Sequence, residues 1–319
     1  MQATVQEWYT AKQGCVVPFP DQFHEDIGWM IAEHLDIVSL ISFSHACKTT
    51  RIIAQTIFSN RIKAHLRLFL RNAGPSVLDM IFSRGGALYG SAIFHLLNSD
   101  ATWSPDNLNI VVPFGCVREI ANELLAQHFV ELDGPDWKWP WVFVARPMRI
   151  FAPYCHPDES ATDVMRPIVI VESLTSSVWP VILASNNTSQ MDIVDATHVV
   201  SLHPHLSCHN MAFFHRLTDA ENARHRGISV LSRFTGKWIC ERWCPAETKH
   251  LGKARFGLFE WRPRDAQATK NGSSNAKSPT AELAIRTNLK HKWRLAWLCP
   301  NKQCPGSWMR PSSRGGDVY

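Results

Sequence analysis

"SPDNLNIVVP", residues 104–113, is the stretch that decides the fold. Asn107 and Asn109 alternate with Leu108 and Ile110 before Val111 and Val112, the period-two pattern of a strand with one polar face and one buried face. Upstream, "GGALYGSAIF" (85–94) is a small-residue turn that opens a helix. Downstream, "CVREIANELLAQHF" (116–129) has helical spacing, with Val117, Ile120, Leu124 and Leu125 facing inward. "WVFVARPMRIFAP" (141–153) and "RPIVIVESL" (166–174) supply further strands. Strands interleaved with helices predict a mixed α/β sheet domain over residues 75–262.

The chain has 319 residues, 45% of them hydrophobic, enough to bury a sizeable core. Its net charge of +5 is carried by scattered Lys and Arg, which argues against a nucleic-acid partner. No apolar run reaches the roughly 18 residues needed to span a bilayer, so no membrane association is expected. The opening "MQATVQEWYTAKQGCVVPFP" (1–20), read as an N-terminal tail, lacks the basic flank and apolar core of a secretion signal. Nine cysteines, an odd number without such a signal, then read as reduced thiols of a cytoplasmic or nuclear protein.

Residues 21–72 are helical in pattern. Ile27, Met30, Ile31 and Leu35 recur at spacings of three and four, on one face of a first helix. Asp36 is placed to cap a second helix running through Leu40, Phe43 and Cys47. A third apolar set follows at Ile53, Ile57, Ile62, Leu66 and Phe69. A bundle this small needs something to pack against. The stretch "FHEDIGWMIAEHLDIVSLISFSHACKTTRIIA" (23–54) resembles an F-box, with its "IAEHLD" first helix, its "SL" opening of the second and its "SHACK" segment. That resemblance implies docking on the Skp-type adaptor of a cullin-RING ubiquitin ligase through Ile27, Ile31, Leu35, Leu40 and Phe43. The proline expected near the start of the motif falls at His24, with Pro18 and Pro20 upstream. The alternative is a helical cap that buries the same stripe against the rest of the chain.

The order of small-residue turn, helix and polar-apolar-polar strand resembles the nucleotidyltransferase fold, and in particular a group of uncharacterised fungal proteins with a "GSA…PxDLDIYVP"-like stretch. The resemblance covers residues 78–130 and, more loosely, the chain to about 215. In active members the Gly-Ser turn holds nucleotide phosphates, and two carboxylates one residue apart bind two divalent metals; alternation puts both on one face. Gly90 and Ser91 match the turn, and Asn107 and Asn109 match the metal positions, so the resemblance implies a degenerate nucleotide site. An amide brings no negative charge to offset two divalent ions and cannot act as a base. Asp106 is one residue out of phase, and on the later strand Val169 stands where a third carboxylate is expected, with Glu172 at the margin. The expected whole is α+β: a small F-box-like helical module joined to a catalytically inactive nucleotidyltransferase-like domain. Its expected role is not enzymatic: it is an adaptor that binds a Skp-type subunit and recruits a protein substrate. The alternative is a non-catalytic nucleotide- or RNA-binding protein.

In the remainder, His198, His203, His205, His209 and His215 crowd together without the spacing of a metal site, and read as surface or packing histidines. Cys240 and Cys244, with Cys299 and Cys304, form two paired-thiol knuckles, each followed by proline. They read either as a structural zinc site joining tail to body or as ordinary buried cysteines; no other cofactor is implied. Residues 263–281 read as a flexible linker, and 282–319 as a basic helix followed by a cysteine-containing tail.

Overall fold

The computed structural model describes residues 25–98, 101–132, 144–145, 148–153, 166–185, 187–214, 217–232, 249–250, 257–262 and 292–293. The chain opens with α1 (Glu25–His34), whose acidic first turn and histidine last turn both suit the helix dipole. α1 buries its small residues, Gly28 and Ala32, one turn apart, and packs Trp29 and the following Leu35 partly against the core. Small residues on that face let α1 lie close to its neighbours.

α2 (Ile37–Ser44) starts where the sequence places it: Asp36 accepts a 2.7 Å hydrogen bond from the Ser39 N–H. It stops at Ser44, three residues before the expected end, because Cys47 caps the next helix instead. The Cys47 thiol accepts from the Thr50 N–H, and the Thr50 hydroxyl accepts from the Cys47 N–H. The helix so begun, α3 (Lys48–Leu70), buries Ile53, Ile57, Phe58, Ile62, Leu66 and Phe69 along one side.

Arg61 on α3 joins these helices. Its Nη2 donates to the carbonyls of Leu35 (2.7 Å), Glu33 (2.9 Å) and Ala32 (3.4 Å), the last turn of α1 and the residue beyond it. Carbonyls at a helix C-terminus have no intrahelical partner, so a guanidinium there satisfies them and complements the dipole.

A short 3-10 turn (Arg71–Ala73) leads into α4 (Gly74–Ser83), with Pro75 in its first turn, where a missing N–H costs nothing. The mixed sheet follows. Its eight strands run in the order β11-β7-β6-β1-β2-β5-β4-β3, from β1 (Ala87–Tyr89), β2 (Leu108–Val112), β3 (Phe129–Leu132), β4 (Arg149–Pro153), β5 (Ile168–Glu172), β6 (Asp192–Val194), β7 (His198–Ser201) and β11 (Gly257–Glu260). All pairs are antiparallel except β2 and β5 at its centre. α5 (Ser91–Leu96) follows β1, and α6 (Val117–Ala126) follows β2. Leu125 of α6 is exposed rather than inward, and the buried face of that helix is Ile120, Ala121 and Leu124.

Each face of the sheet has its own core. On one, Leu88, Leu108, Ile110, Ile168, Ile170 and Val199 share a contiguous cluster with Leu40, Ile53, Phe58 and Phe69 of the helices. The segments on either side of Gly74 and Pro75, expected as separate modules, therefore share one core. On the other face, Tyr89, Val111, Val169 and Val171 pack under α7 (Trp179–Leu183) and α8 (Pro204–Ser207). A smaller cluster forms where β8 (Met211–Phe214), α9 (Leu217–His225) and β9 (Ser229–Ser232) pack against Phe94 of α5. Two further short strands, β10 (Lys249–His250) and β12 (Lys292–Trp293), pair with each other. Among the described residues no helix is long and apolar enough to cross a membrane.

Replacing Arg61 by Met keeps its apolar stem and removes its donors. We expect a loss of about 1–3 kcal/mol in urea unfolding, while Lys63→Ala on the exposed side of α3 shifts stability by less than about 0.5 kcal/mol.

Candidate functional site

β1 ends at Gly90, whose φ of +85° turns the chain from strand into α5. Its carbonyl accepts from Ile93 N and Phe94 N, both at 3.0 Å, and its N–H reaches the carbonyl of Asp192 at 3.3 Å. A β-carbon on Gly90 would lie 2.6 Å from Asn109 Nδ2, so the amide of Asn109 occupies the space beside the turn. The two positions matched to a nucleotide site are thus brought together, and directly in contact. Ser91 opens α5 and is half-buried.

Asn107 and Asn109 share one face, as the alternation predicts. Asn107 Nδ2 donates to Asn109 Oδ1 at 2.6 Å, and both residues are half-buried. Each amide is the other's partner. In register, Asn109 stands between Tyr89 of β1 and Val169 of β5, and both of those neighbours are buried apolar surface. Val169 therefore occupies the strand position beside the amide pair, as expected. Glu172 lies three residues further along β5, about 10 Å away by strand rise. Its Oε1 accepts from Gly115 N (2.8 Å) and Val117 N (3.2 Å), bracing the start of α6. Asp106 points away from the pair and ion-pairs with Arg226. The chemistry of the pair follows from its groups: two neutral amides joined by one hydrogen bond supply neither a base nor charge for a divalent ion. Two shallow depressions, one of about 10 Å³ against Ile41, Val199 and Phe259 and one of about 210 Å³ against His45, Arg51 and Glu260, are not lined by Gly90, Ser91, Asn107 or Asn109.

The other predicted set divides in three. Ile27 and Ile31 lie exposed on the outer face of α1, at 48% and 44%, with Met30 between them at 67%. Leu35 and Phe43 are half-buried against the core. Leu40 is fully buried within it and so belongs to no docking surface, a correction to the predicted set. Ile27, Met30 and Ile31, at spacings of three and four, put three large exposed apolar side chains on one turn of α1.

Cys240, Cys244, Cys299 and Cys304 lie outside the described residues, as do the segments 1–20, 263–281 and most of 282–319. Of the clustered histidines, His198 and His203 are buried and His209 is exposed, and no metal-holding group of three or more ligands exists among the described residues.

The sequence reading missed Asp192. It is fully buried on β6, opposite Ser201 of β7; Ser207 Oγ donates to its two oxygens at 2.8 and 3.0 Å, and Ser201 Oγ donates to Ser207 Oγ at 3.3 Å. Burial pushes its carboxyl up to about 7, against the smaller opposing pull of the serine hydroxyls. "QMDIVD" carries no cue to this, because the burial comes from α8 folding back over β6 and β7.

No family model matches the chain, and no curated protein or solved structure is significantly similar to it.

Two outcomes follow. Gly90→Ala forces a β-carbon onto the Asn109 amide at positive φ and costs about 1–3 kcal/mol; Asn109→Ala in the same chain recovers part of that loss, measured as a double-mutant cycle in urea. Asp192 binds its proton more tightly folded than unfolded. Its contribution is therefore complete below about pH 4 and disappears as pH rises through about 7. Relative to Asp192→Asn, wild-type stability should fall by up to about 4 kcal/mol between pH 4 and pH 8 in urea unfolding.

Proposed function

We propose that this chain is a non-catalytic, F-box-like adaptor that docks through the outer face of α1 on a Skp-type subunit of a cullin-RING ubiquitin ligase, and recruits a protein substrate through its α/β half. The observation that carries the reading is the exposed apolar group Ile27, Met30 and Ile31. A helix that buries Gly28 and Ala32 while presenting two isoleucines and a methionine to solvent inverts the usual amphipathic arrangement, and such surface marks an interaction site. The F-box resemblance of residues 23–54 names the partner. Half-buried Leu35 and Phe43 extend the surface toward α2.

The α/β half supports the non-catalytic part of the reading. Where the resemblance asks for carboxylates, Asn107 and Asn109 bond to each other and close against Gly90. A protein delivering substrates to a ubiquitin ligase would work in the cytoplasm or nucleus, in keeping with an odd number of cysteines, nine, read as reduced thiols.

The test is co-purification with a Skp-type adaptor. Ile27→Asp with Ile31→Asp places two charges on an already exposed face, so the chain should fold as wild type while adaptor binding drops at least about a hundredfold. Wild-type chain that captures no adaptor, or a double variant that captures it unimpaired, overturns the reading. Retained binding of a nucleoside triphosphate by a chain with no adaptor affinity would instead favour a non-catalytic nucleotide-binding protein.

A further inference from the structure

Four nitrogen-bearing side chains from four separate segments converge at the end of β2 and β5 where the strands begin. His65 comes from α3, His95 from α5, Trp103 from the loop before β2, and Arg166 from the residues entering β5. The two imidazoles stack, centroids 5.2 Å apart and planes 19° apart. Trp103 stands edge-on to His95 at 4.9 Å. Phe69 stands edge-on to His65 at 5.8 Å, and the Arg166 guanidinium lies over Phe69 at 5.9 Å. On the outer side of Trp103 lies Arg226, at 5.4 Å, carrying its partner Asp106.

The hydrogen-bond inventory of this cluster does not close. Each imidazole bonds the backbone with one nitrogen, His65 at Ala92 and His95 at Trp103. Their other nitrogens, His65 Nε2 and His95 Nδ1, are buried and have no hydrogen-bond partner among the described residues, and the same holds for Trp103 Nε1 and Arg166 Nη1. His65 itself is 9% exposed. Trp103 and Arg166 can only donate, whereas each free imidazole nitrogen accepts when the ring is neutral and donates when it is protonated. An acceptor-rich anion meets all four once the two imidazoles have taken up protons, because every one of the four nitrogens is then a donor. His95, Trp103 and Arg166 are half-buried, so other atoms of these side chains reach the surface while the four nitrogens lie beneath it.

We propose that His65, His95, Trp103 and Arg166 form a binding site for a tetrahedral oxyanion of the phosphate type, taken up together with protons on the two histidines. The site shares no residue with α1 and does not rest on the adaptor reading. Burial, Arg166 and the neighbouring ring hold His65 down to about 4, and burial and Arg166 hold His95 below its ordinary value. Without a ligand both rings are then neutral at pH 7 and Arg166 is the net charge facing them; an oxyanion among them reverses the balance and draws protons on.

Sulfate is the first probe, because it stays fully ionised over the range that matters. Titrated into the full chain, with chloride at matched ionic strength as control, it should raise Tm and bind about tenfold more tightly at pH 6 than at pH 8. Arg166→Gln should weaken sulfate at least about tenfold. Trp103→Phe removes one N–H and keeps the aromatic packing, so it decides the matter should Arg166→Gln not fold; a several-fold loss is expected. Histidine NMR should show both rings titrating at higher pH in sulfate. Inorganic phosphate and glycerol phosphate then separate two sources of the same chemistry: tighter binding of the monoester points to a phosphorylated ligand, tighter binding of phosphate to the free ion. Equal effects of sulfate and chloride, a pH-independent affinity, or unaltered binding by the Trp103 and Arg166 variants overturns the proposal.

Discussion

The grip of Arg61 on the last turn of α1 fixes which way that helix faces. One guanidinium nitrogen meets the carbonyls of Ala32, Glu33 and Leu35 where α1 ends. With that end anchored, the small side of α1, Gly28 and Ala32, goes down against the protein. Ile27, Met30 and Ile31 must then point to solvent. Because Ile53, Ile57 and Phe58 of the same α3 are built into the core shared with the sheet, the outer face of α1 is presented on a rigid support.

The second constraint acts on the opposite face of the sheet. Gly90 is the one residue that can turn from β1 into α5 at φ +85° while leaving space for the Asn109 amide. Asn107 donates to the oxygen of that amide, and Val169 stands beside it on the neighbouring strand. A pair of carboxylates in the same places would repel each other at hydrogen-bond distance and need a cation to coexist. The amides make the same corner of the fold stable without one. What a metal-dependent site would hold open, this chain closes.

Much of this was legible in the sequence. The Asp36 cap, the buried set from Ile53 to Phe69, the strand after Asn107 and the Gly-Ser turn all follow from local rules, in which spacing and cap chemistry suffice. What spacing does not give is direction. Ile27, Met30, Ile31 and Leu35 form a stripe in either case; the cue that the stripe faces out is the smaller pair, Gly28 and Ala32, on the other side. The F-box resemblance implies Leu40 on a docking surface and helical spacing puts Leu125 inside, and only the tertiary neighbours place them the other way. Asp192, Glu172 and the grouping of His65 with His95, Trp103 and Arg166 depend on contacts between distant segments, to which a local pattern is blind.

The most direct measurement is amide hydrogen exchange on the full chain, with and without a saturating Skp-type adaptor. The account predicts that added protection concentrates in peptides covering α1 and α2, residues 25–44, while the strands β1, β2 and β5 exchange as before. Protection confined to the sheet, or an α1 whose exchange is unchanged in a demonstrated complex, would contradict it.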